Sequence, residues 1–183
     1  MADVKRFTIS VPDDAIEDLK TRLALAKFPH NELDGVGWDY GTPLNDVKRF
    51  VNYWRDQYDW RKTEAQLNQY PHFTTPIQCR GFESLNIHFL HQKSTVPNAI
   101  PLLFVHGWPG SFLESLKILK PLAQPEDPNA PAFHVVALSL PNYGFSEGSK
   151  KKGFALAQYA ETCNKLMLKL GYNEYVTQGG DCK

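Results

Sequence analysis

The stretch Ile100-Pro101-Leu102-Leu103-Phe104-Val105-His106-Gly107-Trp108-Pro109-Gly110-Ser111-Phe112 decides how the rest of the chain is read. It opens as an apolar run of strand length. It then meets glycine and proline at positions 107, 109 and 110, which break regular structure. Ser111 is a good helix N-cap, and Glu114 stands three residues later, the spacing of a capping box. Strand, sharp turn and capped helix aim backbone N–H groups at a point above the strand's C-terminal end. Open α/β sheets bind their ligands there.

The other informative stretch is Tyr175-Val176-Thr177-Gln178-Gly179-Gly180-Asp181-Cys182-Lys183, a short strand running into Gly-Gly-Asp. Three N-terminal stretches add to it: Trp38 to Pro43, Tyr53 to Arg61 and Tyr70 to Thr74, all dense in aromatic residues. The HG-x-P-G turn resembles the oxyanion turn of the α/β-hydrolases. Asp181 stands where their nucleophile sits, on a tight strand-to-helix elbow. With the tryptophan-rich N-terminal stretches, the chain resembles the microsomal-type epoxide hydrolases, from about Phe7 to Asp181.

This resemblance implies an α/β fold. The expected architecture is an incomplete α/β-hydrolase core, a partial, mostly parallel sheet with flanking helices, preceded by a helical N-terminal arm. The expected bounds are 1–98 for the arm and 99–183 for the first half of the core. It also implies roles. Asp181 is the candidate nucleophile; a carboxylate is already ionised at neutral pH and needs no base before it attacks an epoxide carbon. The backbone N–H groups of Trp108 and Cys182 match the oxyanion donors, and the Trp108 N–H is expected to point toward Asp181. His106, Gly107, Pro109 and Gly110 form the turn. His106 precedes that turn, whereas the family's general base lies far downstream of the nucleophile, so His106 is not assigned that role. Read without the resemblance, Asp181 is a solvated terminal aspartate and Trp108 a core residue. The resemblance calls for no cofactor and no metal.

The chain departs from the family pattern after Asp181. Only Cys182 and Lys183 follow it, so the family's lid tyrosines, downstream acid and general-base histidine have no counterpart. The expectation is a truncated epoxide hydrolase, inactive alone, whose partner when completed is a small-molecule epoxide. A bare edge at the last strand predicts a homo-oligomer or aggregate. The alternative function is a non-catalytic interaction module. A haloalkane dehalogenase shares the aspartate chemistry but not the tryptophan-rich arm.

Composition narrows the class. With 42% hydrophobic residues in 183, the chain is long enough and apolar enough for one core. Twenty basic and twenty acidic residues cancel, which favours neither nucleic acid nor an anionic membrane. No secretory signal or membrane anchor is evident. Cys79, Cys163 and Cys182 are few and unpatterned, which suits a reducing, cytoplasmic setting.

Along the chain, residues 7–11 alternate like a strand, and Pro12 opens a helix carrying Ile16, Leu19 and Leu23. Thr42-Pro43 opens another, with Leu44, Val47, Phe50, Val51 and Trp54 on one face; these aromatics are expected to anchor the arm rather than hold a ligand. Phe82 to His91 reads as strand or hairpin. His88 and His91 fall on its opposite faces, a poor metal pair, and read as surface or structural residues. Leu113, Leu116 and Leu119 form the expected stripe of the helix after the turn. Phe133 to Leu140 is a buried strand, and Pro141 to Ser146 matches the family's loop after it. Lys150 to Lys152 reads as a solvated loop. The helix over 155–170 has the clearest stripe: Leu156, Tyr159, Ala160, Cys163, Leu166, Met167 and Leu170, with Gly171 placed to end it.

Overall fold

The computed structural model describes residues 3–30 and 34–180. Asp181, Cys182 and Lys183 lie outside the described residues. The chain divides into two compact units, one comprising Ile9–Leu67 and the other Met1–Thr8 with Asn68–Lys183.

The Ile9–Leu67 unit is helical: α1 (Asp13–Ala24), α2 (Leu44–Asp56) and α3 (Trp60–Leu67). Prolines at positions 12 and 43 precede α1 and α2, where a missing N–H costs no hydrogen bond. Glu64 ties the unit together. Its Oε1 accepts from the Val11 N–H at 2.7 Å and from Trp60 Nε1 at 3.3 Å, and its Oε2 accepts from Arg61 at 2.7 Å. The Val11 hydrogen bond is the main reason its carboxyl titrates below the ordinary range. Arg61 also bonds Asp13, joining α3 to the first turn of α1. Phe50, Tyr53 and Trp54 stay about half exposed on α2.

The larger unit is built on a six-stranded mixed sheet in the order β1-β2-β3-β5-β4-β6. The strands are β1 (Lys5–Arg6), β2 (His72–Gln78), β3 (Ser84–Gln92), β4 (Ile100–Val105), β5 (Phe133–Leu138) and β6 (Val176–Gly179). β4 pairs parallel to both its neighbours, β5 and β6. β1, β2 and β3 are antiparallel, and β3 also pairs antiparallel with β5. β4 and β5 lie side by side, in register from Ile100↔Phe133 to Val105↔Leu138. The expected strand over 7–11 is not formed; the strand lies just before it at Lys5 and Arg6, followed by one further backbone bond from the Phe7 N–H to the His72 carbonyl. β2 and β3, assigned by sequence to the arm, join the sheet, so the compact division falls at Leu67 and not at residue 98.

The sheet has a helix on each face. His88 and His91, three apart on β3, show this directly. The His88 ring meets Phe112, just before α4 (Leu116–Ala123), whereas His91 meets Tyr172, just after α5 (Leu156–Lys169). On the α5 face, Leu85, Ile87, Phe89, Leu103, Val136 and Leu138 pack with Cys163, Leu166 and Met167. Each such large side chain contributes about 1.5–3 kcal/mol of burial. Gly171, at φ 90°, ends α5 in a Schellman motif. Tyr172 N–H donates to Met167 O and Gly171 N–H to Leu168 O, both at 3.0 Å.

The helix after the turn differs from its expected form. It begins as a 3₁₀ turn over Phe112–Ser115, in which residues three apart eclipse. Phe112 and Ser115 are therefore buried, followed by Leu119 and Ala123, while Leu113 is exposed. The first two members of the expected Leu113-Leu116-Leu119 stripe move back by one position, to Phe112 and Ser115, while Leu119 stays buried.

Candidate functional site

The turn leaves β4 at Val105 and is fixed by its histidine. His106 is buried. Its Nε2 accepts from the Leu140 N–H at 3.1 Å, so the ring proton is on Nδ1, which donates to the Gly107 carbonyl at 2.9 Å. Tyr143 packs edge-on against it, ring centroids 5.2 Å apart. Both nitrogens are thus used to tie the turn after β4 to the end of β5. This is a positioning role and leaves no nitrogen to take a proton from water.

The rest of the turn is set by close approach. The Trp108–Pro109 peptide is cis. The Ser111 hydroxyl caps the turn by accepting from the Leu113 N–H at 3.3 Å, not from the Glu114 N–H that the expected box requires. The Glu114 carboxylate lies instead against Gly110, filling the space a β-carbon there would take. Trp108 is 72% exposed, which removes the reading of this residue as core.

Beside the turn lies an apolar cleft of about 600 Å³. His106, Gly107 and Trp108 close one end. Its walls come from Leu103, Val105 and Thr177 on the sheet, from Leu156, Tyr159, Ala160 and Cys163 on α5, and from Leu140, Tyr143 and Tyr175. Sequence reasoning gave Tyr143, Tyr159 and Tyr175 no part here. The Pro141–Ser146 loop match was the one available signal for Tyr143; Gly144, at φ 53°, packs so close to Ser139 that the loop must fold back on the strand end. Burial, followed by the Cys79 charge, pushes the Cys163 thiol up to about 12, so it is a packing residue.

The parallel register ends β4 and β6 at the same end of the sheet. Val105 pairs with Gly179, so β4 and β6 finish together, one at the turn and the other at the last described residues. Asp181 and Cys182, the candidate nucleophile and second oxyanion donor, lie outside the described residues, and so does the predicted approach of the Trp108 N–H to Asp181.

A second polar cluster lies under the 3₁₀ turn. His72 Nδ1 and His88 Nε2 are 2.9 Å apart, and His88 Nδ1 is 2.8 Å from Ser139 Oγ. Phe7, Phe112 and Phe145 enclose the His88 ring. Burial, and then the charge of His72, push the His88 pKa down to about 3, so it is a neutral structural residue. The sequence reading of His88 and His91 as surface or structural resolves to structural, since both are buried.

With this geometry in view, the relatives are informative. Residues 4–115 match the family model described as epoxide hydrolase N terminus, and residues 100–182 match the alpha/beta hydrolase fold. A Stigmatella aurantiaca relative is 43% identical over 96% of this chain and 39% of its own length. Epoxide hydrolase 1 of Sus scrofa is 41% identical over 97% of this chain and 39% of its own. The crystal structure of juvenile hormone epoxide hydrolase from the silkworm Bombyx mori superposes with a TM-score of 0.83 at 35% identity, covering 97% of this chain and 46% of that one. The chain therefore spans about two fifths of the length of these curated relatives. Among the described residues no helix is long and apolar enough to cross a membrane. The match of an epoxide hydrolase N terminus to more than half of the chain, on an α/β-hydrolase sheet, places it in the epoxide hydrolase family of the α/β-hydrolase superfamily.

Proposed function

We propose that this chain supplies the nucleophile and the oxyanion turn of an epoxide hydrolase that opens small-molecule epoxides to vicinal diols. Support comes chiefly from the register Val105↔Gly179, which ends β4 and β6 together beside the HGWPG turn. In the proposed reaction an Asp181 oxygen attacks a ring carbon, the ring C–O bond breaks, and the alkoxide takes a proton from an acid. Water then attacks the ester carbonyl, whose oxyanion is held by backbone N–H groups such as that of Trp108. The products are the diol and the restored carboxylate. The chemistry calls for no cofactor or metal. Cys79 and Cys163, both buried free thiols, favour a reducing, cytoplasmic setting.

These 183 residues alone are proposed to carry out at most the first step. Six histidines occur in the sequence. His72, His88, His91 and His106 are buried, and His134 Nδ1 accepts from the Ser94 N–H at 3.1 Å. Loss of a general acid and base commonly costs about 10²–10⁴-fold each. The test is incubation with styrene oxide, followed by intact-mass and peptide analysis. Single alkylation at Asp181, lost in Asp181→Asn, without repeated diol formation is the expected result. Absent or scattered labelling refutes the nucleophile; multiple turnovers refute the inactivity of the chain alone.

A further inference from the structure

At the end of β5 one rung of the sheet is interrupted by a side chain. β3 and β5 are antiparallel, in register from Gln92↔Val135 to Phe89↔Leu138. The next pair along is His88 and Ser139. In a hydrogen-bonded antiparallel pair the two residues exchange both N–H···O bonds. Here only one of the two is direct: the Ser139 N–H donates to the His88 carbonyl at 2.8 Å. In place of the other stands the hydroxyl of Ser146, from the loop after β5. It accepts from the His88 N–H at 2.9 Å and donates to the Ser139 carbonyl at 2.7 Å. Both residues of the rung are buried, where an unmade main-chain hydrogen bond is costly. The hydroxyl therefore satisfies both groups while it wedges β5 off β3. Its neighbour Glu147 holds the loop in place. The Asn86 N–H donates to Glu147 Oε2 at 2.7 Å, and the Glu147 N–H donates to the Asn86 carbonyl at 3.0 Å.

Leu140 follows this rung and leads to the turn. Its N–H donates to His106 Nε2, and His106 Nδ1 donates to the Gly107 carbonyl. That carbonyl and the Trp108 N–H belong to one peptide group, which is planar and trans, so the two point in opposite directions. Holding the carbonyl against the buried His106 ring therefore turns the Trp108 N–H away from that ring. We infer that Ser146 is a positioning residue for the oxyanion turn: its hydroxyl, wedged into the β3–β5 rung, sets where Leu140 stands and, through His106 and the Gly107 carbonyl, fixes the direction of the Trp108 N–H. Without the hydroxyl, the His88 N–H and the Ser139 carbonyl are free to bond directly. That closure draws the end of β5 toward β3. Because β3 and β4 lie on opposite sides of β5, it also draws Leu140 away from His106. The inference rests on the functional reading only in counting the Trp108 N–H as an oxyanion donor.

The test reads the direction of one bond in the folded 183-residue chain. Residual dipolar couplings, measured by NMR on weakly aligned protein, report the orientation of the Trp108 N–H. The imidazole nitrogen signals of His106 report which ring nitrogen holds the proton. Ser146→Ala is expected to change the Trp108 coupling, to mix the two His106 tautomers and to speed amide exchange at Leu140 about tenfold. A loss of stability alone moves neither the coupling nor the tautomer of the molecules that remain folded. Ser146→Thr, which keeps a hydroxyl, is expected to return all of these toward the parent. Ser149→Ala removes another hydroxyl of the same loop, one bonded to Glu83 at 3.0 Å, and is expected to change none of them. Should Ser146→Ala fail to fold, the parent decides: the His88 and Leu140 amides should open together, with protection equal within about threefold. An unchanged coupling and tautomer in folded Ser146→Ala overturn the inference. So do the same changes in Ser149→Ala, or separate openings of His88 and Leu140 in the parent. Alkylation of Asp181 by styrene oxide is measured separately on the parent: its absence counts against the epoxide reading and leaves the Ser146 relay standing.

Discussion

Lowering the pH from 7.5 to 5 is expected to destabilise the sheet unit by about 4 kcal/mol, through two buried histidines. Burial, ahead of neighbouring charge, lowers the His88 pKa from 6.5 to about 3. Burial, then Lys93 and His134, lowers that of His91 from 6.5 to about 4. Unfolded, both bind protons as the pH falls through 6.5; folded, neither does until about 4 or below. Between these values the unfolded state holds more protons, so stability is full above 6.5 and falls with falling pH. At pH 5 each histidine accounts for about 2 kcal/mol, and because both folded values lie below 5 this figure barely depends on how far below. Glu64, Glu83 and Glu161, lowered from 4.5, and Asp56, lowered from 3.8, withdraw their support mainly below this range.

Urea denaturation at the two pH values measures the effect. With a slope of about 2 kcal/mol per molar, the midpoint should fall by roughly 2 M. His91→Phe separates the contributions. It keeps a ring in the pocket and loses the 2.9 Å contact to the Tyr172 hydroxyl, at a cost of about 1 kcal/mol at pH 7.5. Its pH-dependent loss should be about half that of the parent, roughly 2 kcal/mol. A midpoint that does not move between pH 7.5 and 5, or a full-sized drop in His91→Phe, would refute the reasoning.

Two other substitutions test the turn and the helix end. His106→Phe removes the acceptor of the Leu140 N–H and the donor to the Gly107 carbonyl; a loss of about 1–3 kcal/mol in denaturation is expected, together with faster amide exchange at Leu140. Gly171→Ala meets no atom within 4 Å, so only its φ of +90° opposes it; a loss of about 1–2 kcal/mol is expected, and a neutral result in the same assay would mean the Schellman turn is not held as described.

What the sequence showed, and what it hid, follows from the range of the interactions. The turn after β4, the start of α1 after Pro12 and the Gly171 stop are local, set by residues within one turn of each other, and all three are present. The strand at Ser84–Gln92 was also visible, because alternation is local. Its place was not: pairing with β5 across Phe89↔Leu138 is a choice among distant partners that no periodicity records. The His72–His88–Ser139 chain was invisible for the same reason, since residues from three strands or strand ends meet only once the register is set. The Leu113 error was of another kind. A 3₁₀ start winds tighter than the assumed 3.6 residues per turn and brings Phe112 inward. In α5 the stripe was read correctly, yet periodicity gives only the direction in which apolar side chains point. It does not say what covers them. Cys163 and Met167 meet this sheet, whereas Leu156 and Ala160, on the same stripe, face an open cleft beside the predicted oxyanion turn.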